Sequence, residues 1–260
     1  MKFKEIEKCL EELAPTAYAE GWDNPGLLAG SYEKEINKVL VCVDVLSDCI
    51  DKAQAIGADL ILSHHPLIFG GIKAVNDGDF VGKRILKLCE SGINYYAAHT
   101  NFDRAVMVKE ASKMLGLINT VPYGDVIETP EGALGFGVLG ELEGEMTLSG
   151  FISYAKERFS LERVSYFGDK DRPVRKVALT PGSGAEFIDE AYALGADVYI
   201  SGDIKYHNGV DAGEKGICVV NAGHYGIEKL FVSYMTDFIE RRIPEITVVS
   251  YEETMPFGYA

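Results

Sequence analysis

The segment DLILSHHP, residues 59–66, ends an apolar run with two adjacent histidines. The chain's other three histidines lie in HTNFD (99–103), GDIKYH (202–207) and GHYGIE (223–228). Taken singly, each of His64, His65, His99, His207 and His224 fits a hydrogen-bonded core or surface residue. Taken together, all of them fall at or just past the end of an apolar strand pattern, with carboxylates close by in sequence. Imidazole nitrogen plus carboxylate oxygen, without thiolate, is the donor set of zinc, iron, manganese or cobalt. His224 and Glu228 are four residues apart at the start of a helical pattern, which places both on one face. His99 and Asp103 share that spacing, in a stretch that reads either as a helix start or as a strand-to-helix loop.

Adjacent side chains on an extended chain point to opposite sides, and Pro66 biases His65 away from helical geometry. His64 and His65 are therefore expected to straddle two ions rather than chelate one. A pair of ions about 3.5–4 Å apart, bridged by a carboxylate or water, gives the doublet a purpose; the competing reading is two polar residues ending a strand.

The elements that would carry these residues alternate. KVLVCVDV (38–45), DLILS and INYYAA (93–98) read as strands, separated by helical patterns at 47–58 and 81–92 and followed by another at 106–117. From Val121 to about Lys176 short glycine-separated apolar runs surround a helix at LSGFISYAKERF, which predicts an antiparallel insert. Alternation then resumes with RKVALTPG, a helix over about 185–194, ADVYISGD, a short connection, GICVVNAGH, a helix over about 225–242 and a last strand EITVVSYEE. AIGADLILSHHP (55–66) matches ALGADVYISGDI (193–204), and GINYYAAHTNFD (92–103) matches GICVVNAGHYGIE (216–228). The expected fold is α/β: two similar lobes from an internal duplication, 1–121 and 122–260, with mostly parallel sheets and a metal site between them. The final helix and strand can pack back on the first lobe. In open α/β sheets ligands bind beyond the carboxyl ends of the strands, where the histidines lie.

Composition narrows the partners. The chain has 260 residues, 47% of them apolar, enough for a packed core. With 25 basic and 40 acidic residues the formal charge is −15, and there is no basic run, which argues against a nucleic-acid surface and suits cationic partners. No 18-residue apolar run or signal-peptide pattern opens the chain, so a cytoplasmic protein with no membrane segment is expected. The five cysteines, Cys9, Cys42, Cys49, Cys89 and Cys218, form no C-x-x-C pair; Cys42 and Cys218 read as core residues.

SHHP (63–66), HTNFD (99–103) and GHYGIE (223–228), in that order, resemble the signature of the NGG-interacting-factor-like dinuclear metal proteins, also known as GTP cyclohydrolase I type 2 homologues. GWDNPGLLAG (21–30) and GDIKYH match further patterns of that family, so the resemblance runs nearly end to end. It implies two divalent metal ions held by His64, His65, Asp103, His224 and Glu228, with Asp103 and Glu228 as bridges, and a toroidal homohexamer. His99 and His207 would then stand beside the metals as proton-transfer or ligand-orienting groups, and Asp203, Lys205 and Tyr206 would be close enough to touch a substrate.

The implied activity is hydrolytic opening of the guanine imidazole of GTP with release of formate. Two rivals remain at this level. One is a phosphoesterase or amidase using the same ions; the other is a non-catalytic metal-binding ring that acts through its interactions. No G-x-x-x-x-G-K-[ST] loop is present; TPGSGAEF (180–187) reads as a phosphate-holding turn or simply a turn, and Lys73, Arg104 and Lys205 are the basic residues nearest the motifs.

Overall fold

A computed structural model describes residues 1–253 and Gly258. It divides into two compact units, residues 1–102 with 231–260, and residues 103–230.

In the first unit, β1 (Gly26–Ala29), β2 (Lys38–Cys42), β3 (Leu60–Ser63), β4 (Asn94–Ala97) and the C-terminal strand Thr247–Ser250 form one sheet in the order β1, β4, β3, β2, C-terminal strand. All pairs are parallel except β1 with β4. The β-branched and aromatic runs KVLVC, LILS and NYYA explain the strands, and β3 and β4 are buried throughout, as expected for strands covered on both faces. Helices Ser47–Ile56 and Phe80–Glu90 make the crossovers. The first begins at Ser47 with Leu46 in the capping position, so the serine is the first helical residue rather than the cap. It stops at Gly57, whose left-handed φ of 64° a side chain would disfavour. Asp79 caps the second by accepting from the amides of Val81 and Gly82. Leu40, Cys42, Ile50, Ile61, Leu88 and Tyr95 are central to its core.

The second unit holds β5 (Ile118–Tyr123), β6 (Ile127–Thr129), β7 (Gly132–Leu134), β8 (Gly137–Thr147), β9 (Ser165–Phe167), β10 (Pro173–Ser183), β11 (Val198–Gly202) and β12 (Cys218–Asn221). Its main sheet runs β5, β8, β10, β11, β12, β9, and β6 pairs with β7 apart from it. The centre, β10 to β12, is parallel; β5, β8 and β9 join antiparallel. The fold is thus α/β with parallel centres, and the glycine-separated stretch is the antiparallel part.

The matched segments of sequence make the same turn in each unit. Asp59 Oδ2 accepts from the amides of Asn37 and Lys38, and Asp197 Oδ2 accepts from those of Arg175 and Lys176, so each aspartate clamps the neighbouring strand just before the parallel pairing begins. Two local readings change. The short connection after β11 contains a ten-residue helix, Tyr206–Lys215, whose buried face is Gly209 and Ala212. A Cβ on Gly209 would strike the Phe167 ring, so close packing on glycine replaces the apolar stripe that periodicity detects. The helix expected over 106–117 covers Val108–Met114 and is preceded by a π-type turn, Asp103–Met107. Cys42 and Cys218 are fully buried. Among the described residues no helix is long and apolar enough to cross a membrane.

Candidate metal centre

In the first unit the parallel strands deliver their carboxyl ends to one edge. Past Ser63 the chain stays beside β2 through His64 N to Cys42 O (3.2 Å) and His65 N to Val43 O (2.9 Å). Ser63 Oγ and Tyr95 Oη both donate to the His65 carbonyl, at 2.7 and 3.0 Å, which fixes its backbone. Burial pushes the Tyr95 phenol well above its usual range, so it stays a neutral donor.

Just past β3, the ring centroids of His64 and His65 are 5.0 Å apart. His99, just past β4, joins them, its centroid 5.3 Å from His64 and 5.6 Å from His65. One ligand atom from each of His64, His65 and His99 lies within 4.8 Å of the others.

Each of these rings is turned by a fixed acceptor. His64 Nδ1 meets Ala98 O at 2.9 Å, His65 Nδ1 meets Asp44 Oδ1 at 2.9 Å, and His99 Nδ1 meets Asp23 Oδ1 at 2.8 Å. With Nδ1 engaged, Nε2 is the nitrogen presented for coordination, the arrangement that orients metal-bound imidazoles. The Asp23 side chain is inaccessible to solvent. Burial alone would raise its pKa, but hydrogen bonds from His99, Thr100 and the Asn24 amide overcome it and hold it at about 2. Because the folded value lies below the unfolded 3.8, the associated stability is present above about pH 4 and is lost as the pH falls through about 2. Asp23→Asn is therefore expected to lower the melting temperature by a constant amount above pH 4, with the gap to the parent closing towards pH 2. Thermal melts of both proteins across that range check it.

In the second unit, His224 opens the short helix His224–Glu228 just after β12, with Gly223 at φ 76° in the capping position. His224 Nδ1 meets Asp203 Oδ2 at 2.8 Å, and Nε2 meets Glu228 Oε2 at 3.1 Å, the four-residue spacing read from sequence. Burial acts against the charged ring, yet Glu228 and Asp203 raise its pKa to about 9. Glu228 is 3% exposed. A Cβ on Gly182 would collide with Glu228 Oε1, and Gly182 has φ 61°. Gly202 is hemmed in by Gly182 O and the His224 amide. Gly182 of TPGSGAEF and Gly202 of ISGD therefore make room for this acid–imidazole pair, which gives the turn a reason other than phosphate.

Asp203 itself sits at φ 53°, a conformation that short polar side chains tolerate. A cleft of about 720 Å³ beside it is lined by residues including Ser183, Glu186, Lys205, Asn208 and Asn221. Asp103 begins the π-type turn. His207 is exposed in the first turn of helix Tyr206–Lys215, its ring against that of Tyr206 at 5.2 Å, and belongs to none of the metal-capable groups among the described residues. Arg104 lies 4.0 Å over the Phe136 ring and donates to Asp125 O, a packed role rather than an open phosphate contact. The sequence reading missed Asp23 and Asp44. Asp44 closes the apolar run of β2 just as the histidines close β3, and that common strand-end position is the signal that could have found it.

The donor chemistry fits divalent metal ions: oriented imidazoles, a buried carboxylate, and glycines that keep its surroundings clear. A family model described as Duf34/NIF3 (NGG1p interacting factor 3) matches residues 1–256. The chain is 32% identical over 264 residues to a Clostridium perfringens protein named GTP cyclohydrolase 1 type 2 homolog, covering 100% of both chains. A crystal structure of a Staphylococcus aureus hypothetical protein superposes with a TM-score of 0.88 at 28% identity, covering 100% of this chain and 99% of that one. A Bacillus cereus protein related to NIF3 does so with a TM-score of 0.88 at 24% identity, over the same shares of the two chains.

Proposed function

The chain belongs to the Duf34/NIF3 family, and from that premise we propose that it is a hydrolase dependent on two divalent metal ions, acting on the heterocycle of a nucleotide such as GTP. The observation that carries this reading is the orientation of His64, His65, His99 and His224. Each engages Nδ1 with a protein acceptor, so coordination would fall to Nε2, which in His224 faces the Glu228 carboxylate at 3.1 Å.

His64, His65, Asp103, His224 and Glu228 would hold the ions, with Asp103 and Glu228 as the bridging carboxylates. Two such ions supply Lewis-acid activation of water near neutral pH. The protein's share is then positional. Asp44 and Asp203 fix the imidazoles they touch, and His99, oriented by Asp23, would carry a proton between water and the substrate's ring nitrogen. For GTP, water adds at C8 of the guanine, the imidazole ring opens, and a second hydrolysis releases formate. The −15 charge is compatible with an anionic nucleotide once cations are bound. A toroidal homohexamer belongs to the same proposal and is read by light scattering.

The test is formate release from GTP by protein reconstituted with zinc, iron, manganese or cobalt, alongside metal analysis and a panel of phosphoesters and amides. Formate supports the proposal. Hydrolysis confined to other substrates moves the activity to another class, and two bound metals with no hydrolysis leave a metal-binding ring. Asp44→Asn tests the orienting role separately. It is expected to weaken metal binding by roughly 10- to 100-fold with the fold unchanged, measured by competition with a chromogenic chelator.

A further inference from the structure

The GWDN segment contributes Asp23 to the imidazole cluster but leaves Trp22 without a task. Trp22 is 58% exposed and Phe69 61% exposed, a large aromatic surface to leave in water. Both rings are held in place from behind. Asp23, next to Trp22, accepts from His99 Nδ1 at 2.8 Å and from the Thr100 amide at 3.1 Å. Asn24 Nδ2 donates to the carbonyl of Ile68, the residue before Phe69, at 2.8 Å. Hydrogen bonds thus tie the two ring-bearing segments to each other and to the histidine cluster.

The ring centroids are 5.6 Å apart with planes inclined at 55°. That spacing is too small to sandwich a third ring, which needs about twice the van der Waals thickness of an aromatic system, roughly 7 Å. The inclined pair instead forms a corner in which a guest ring stacks on one face and meets the other edge-on. His99 closes the corner, its centroid 6.2 Å from Trp22 and 6.3 Å from Phe69, in both cases near perpendicular. One ring further on lie His64 and His65.

We propose that Trp22 and Phe69 form a stacking corner for the planar base of a purine nucleotide, seated with its edge towards the His64–His65–His99 cluster. The proposal deepens the hydrolase reading and rests on it for what happens to the base, but the corner contains no metal ligand. A purine is the occupant that fits best, because base stacking works through the π-face and needs no cation. Asp23 and Asp44 buttress the adjacent rings and disfavour a bare anion in the same place. The polar histidine edge also suits a heterocycle better than an aliphatic chain. Ile72, Val75 and Phe80 are exposed in the segment that follows Phe69, so coverage by a second copy of the chain is the rival outcome.

Trp22 is the only tryptophan in the chain, so its fluorescence reports this corner directly. The full-length protein, metal-free and metal-loaded, is titrated with GTP, guanosine and inorganic tripolyphosphate. GTP and guanosine are expected to quench in both forms, and tripolyphosphate in neither. By equilibrium dialysis with labelled guanosine, Trp22→Ala and Phe69→Ala each weaken binding by about 5- to 100-fold, while Trp22→Phe retains it. Circular dichroism confirms that the variants fold.

The proposal is overturned if tripolyphosphate quenches as well as GTP, if both alanine variants bind guanosine as the parent does, or if the emission shifts with protein concentration alone. Guanosine quenching in a protein that releases no formate leaves the corner standing and removes the hydrolase reading. Formate release with KM for GTP unchanged in Trp22→Ala and Phe69→Ala does the reverse.

Discussion

His65→Ala is expected to lose metal and hydrolytic activity together while the protein stays folded. Alanine gives up the ring's hydrogen bond to Asp44, but the hydrogen bonds fixing the backbone at this point use the His65 amide and carbonyl, with Val43, Ser63 and Tyr95 as partners. The side chain is 22% exposed, so its removal opens no sealed cavity. Truncating the neighbouring His64 is less clean. That residue is fully buried with its ring 5.2 Å from Phe231 and 6.2 Å from Phe102, and a variant there tests packing and ligation at once.

Removing a donor costs more than removing the group that orients it. The metal affinity of His65→Ala should therefore fall by more than the roughly 10- to 100-fold of an outer-sphere change, and formate release should fall with it. Metal analysis after dialysis, with circular dichroism as the folding control, reads the outcome. A variant that keeps full metal content and full activity would sink the assignment of His65.

Glu228→Gln is expected to act on both the proton and the metal. In the metal-free protein Glu228 is the first of the groups holding the His224 imidazolium against the opposing effect of burial, and the pKa stands at about 9. Neutralising the acid should bring His224 down towards its ordinary 6.5, read from the ring proton shifts in an NMR titration. The stability consequence has a definite sign. The raised folded value stabilises the metal-free parent fully below about pH 6.5, and that contribution is lost as the pH rises through about 9.

A metal needs the same nitrogen unprotonated, so the His224 contribution makes metal affinity climb by about tenfold per pH unit up to about pH 9 and then level off. In Glu228→Gln the plateau moves to lower pH, while affinity at the plateau drops because a buried carboxylate donor is gone. A parent whose affinity is flat between pH 6.5 and 9 would contradict the role of His224.

How much of this is legible in the sequence depends on the kind of information each feature carries. Strands β2, β3 and β4 are uninterrupted apolar runs, so their existence and buried placement follow from residue type. The His224–Glu228 pair follows from helical spacing, and the structure shows it at 3.1 Å. The helix Tyr206–Lys215 was hidden because its packing face is glycine and alanine, which carry little hydrophobic signal. How close the His64 and His65 rings come, 5.0 Å between centroids, is set by the packing beyond β3 rather than by residue type.

By itself, the sequence determined the alternation of strands and helices, the delivery of histidines to strand ends, and a donor set of imidazole and carboxylate, since these depend on residue type and near-neighbour spacing. Only the tertiary structure decided which acids turn which rings: Asp44 to His65 across 21 residues, Asp23 to His99 across 76, and Asp203 to His224 across 21. It also decided that Trp22 and Phe69 meet in a corner beside them. The physical reason is that a hydrogen bond or ring contact is fixed within a few tenths of an ångström by the register of whole strands, while aspartates and aromatics at strand ends are too common for sequence to say which pair will meet.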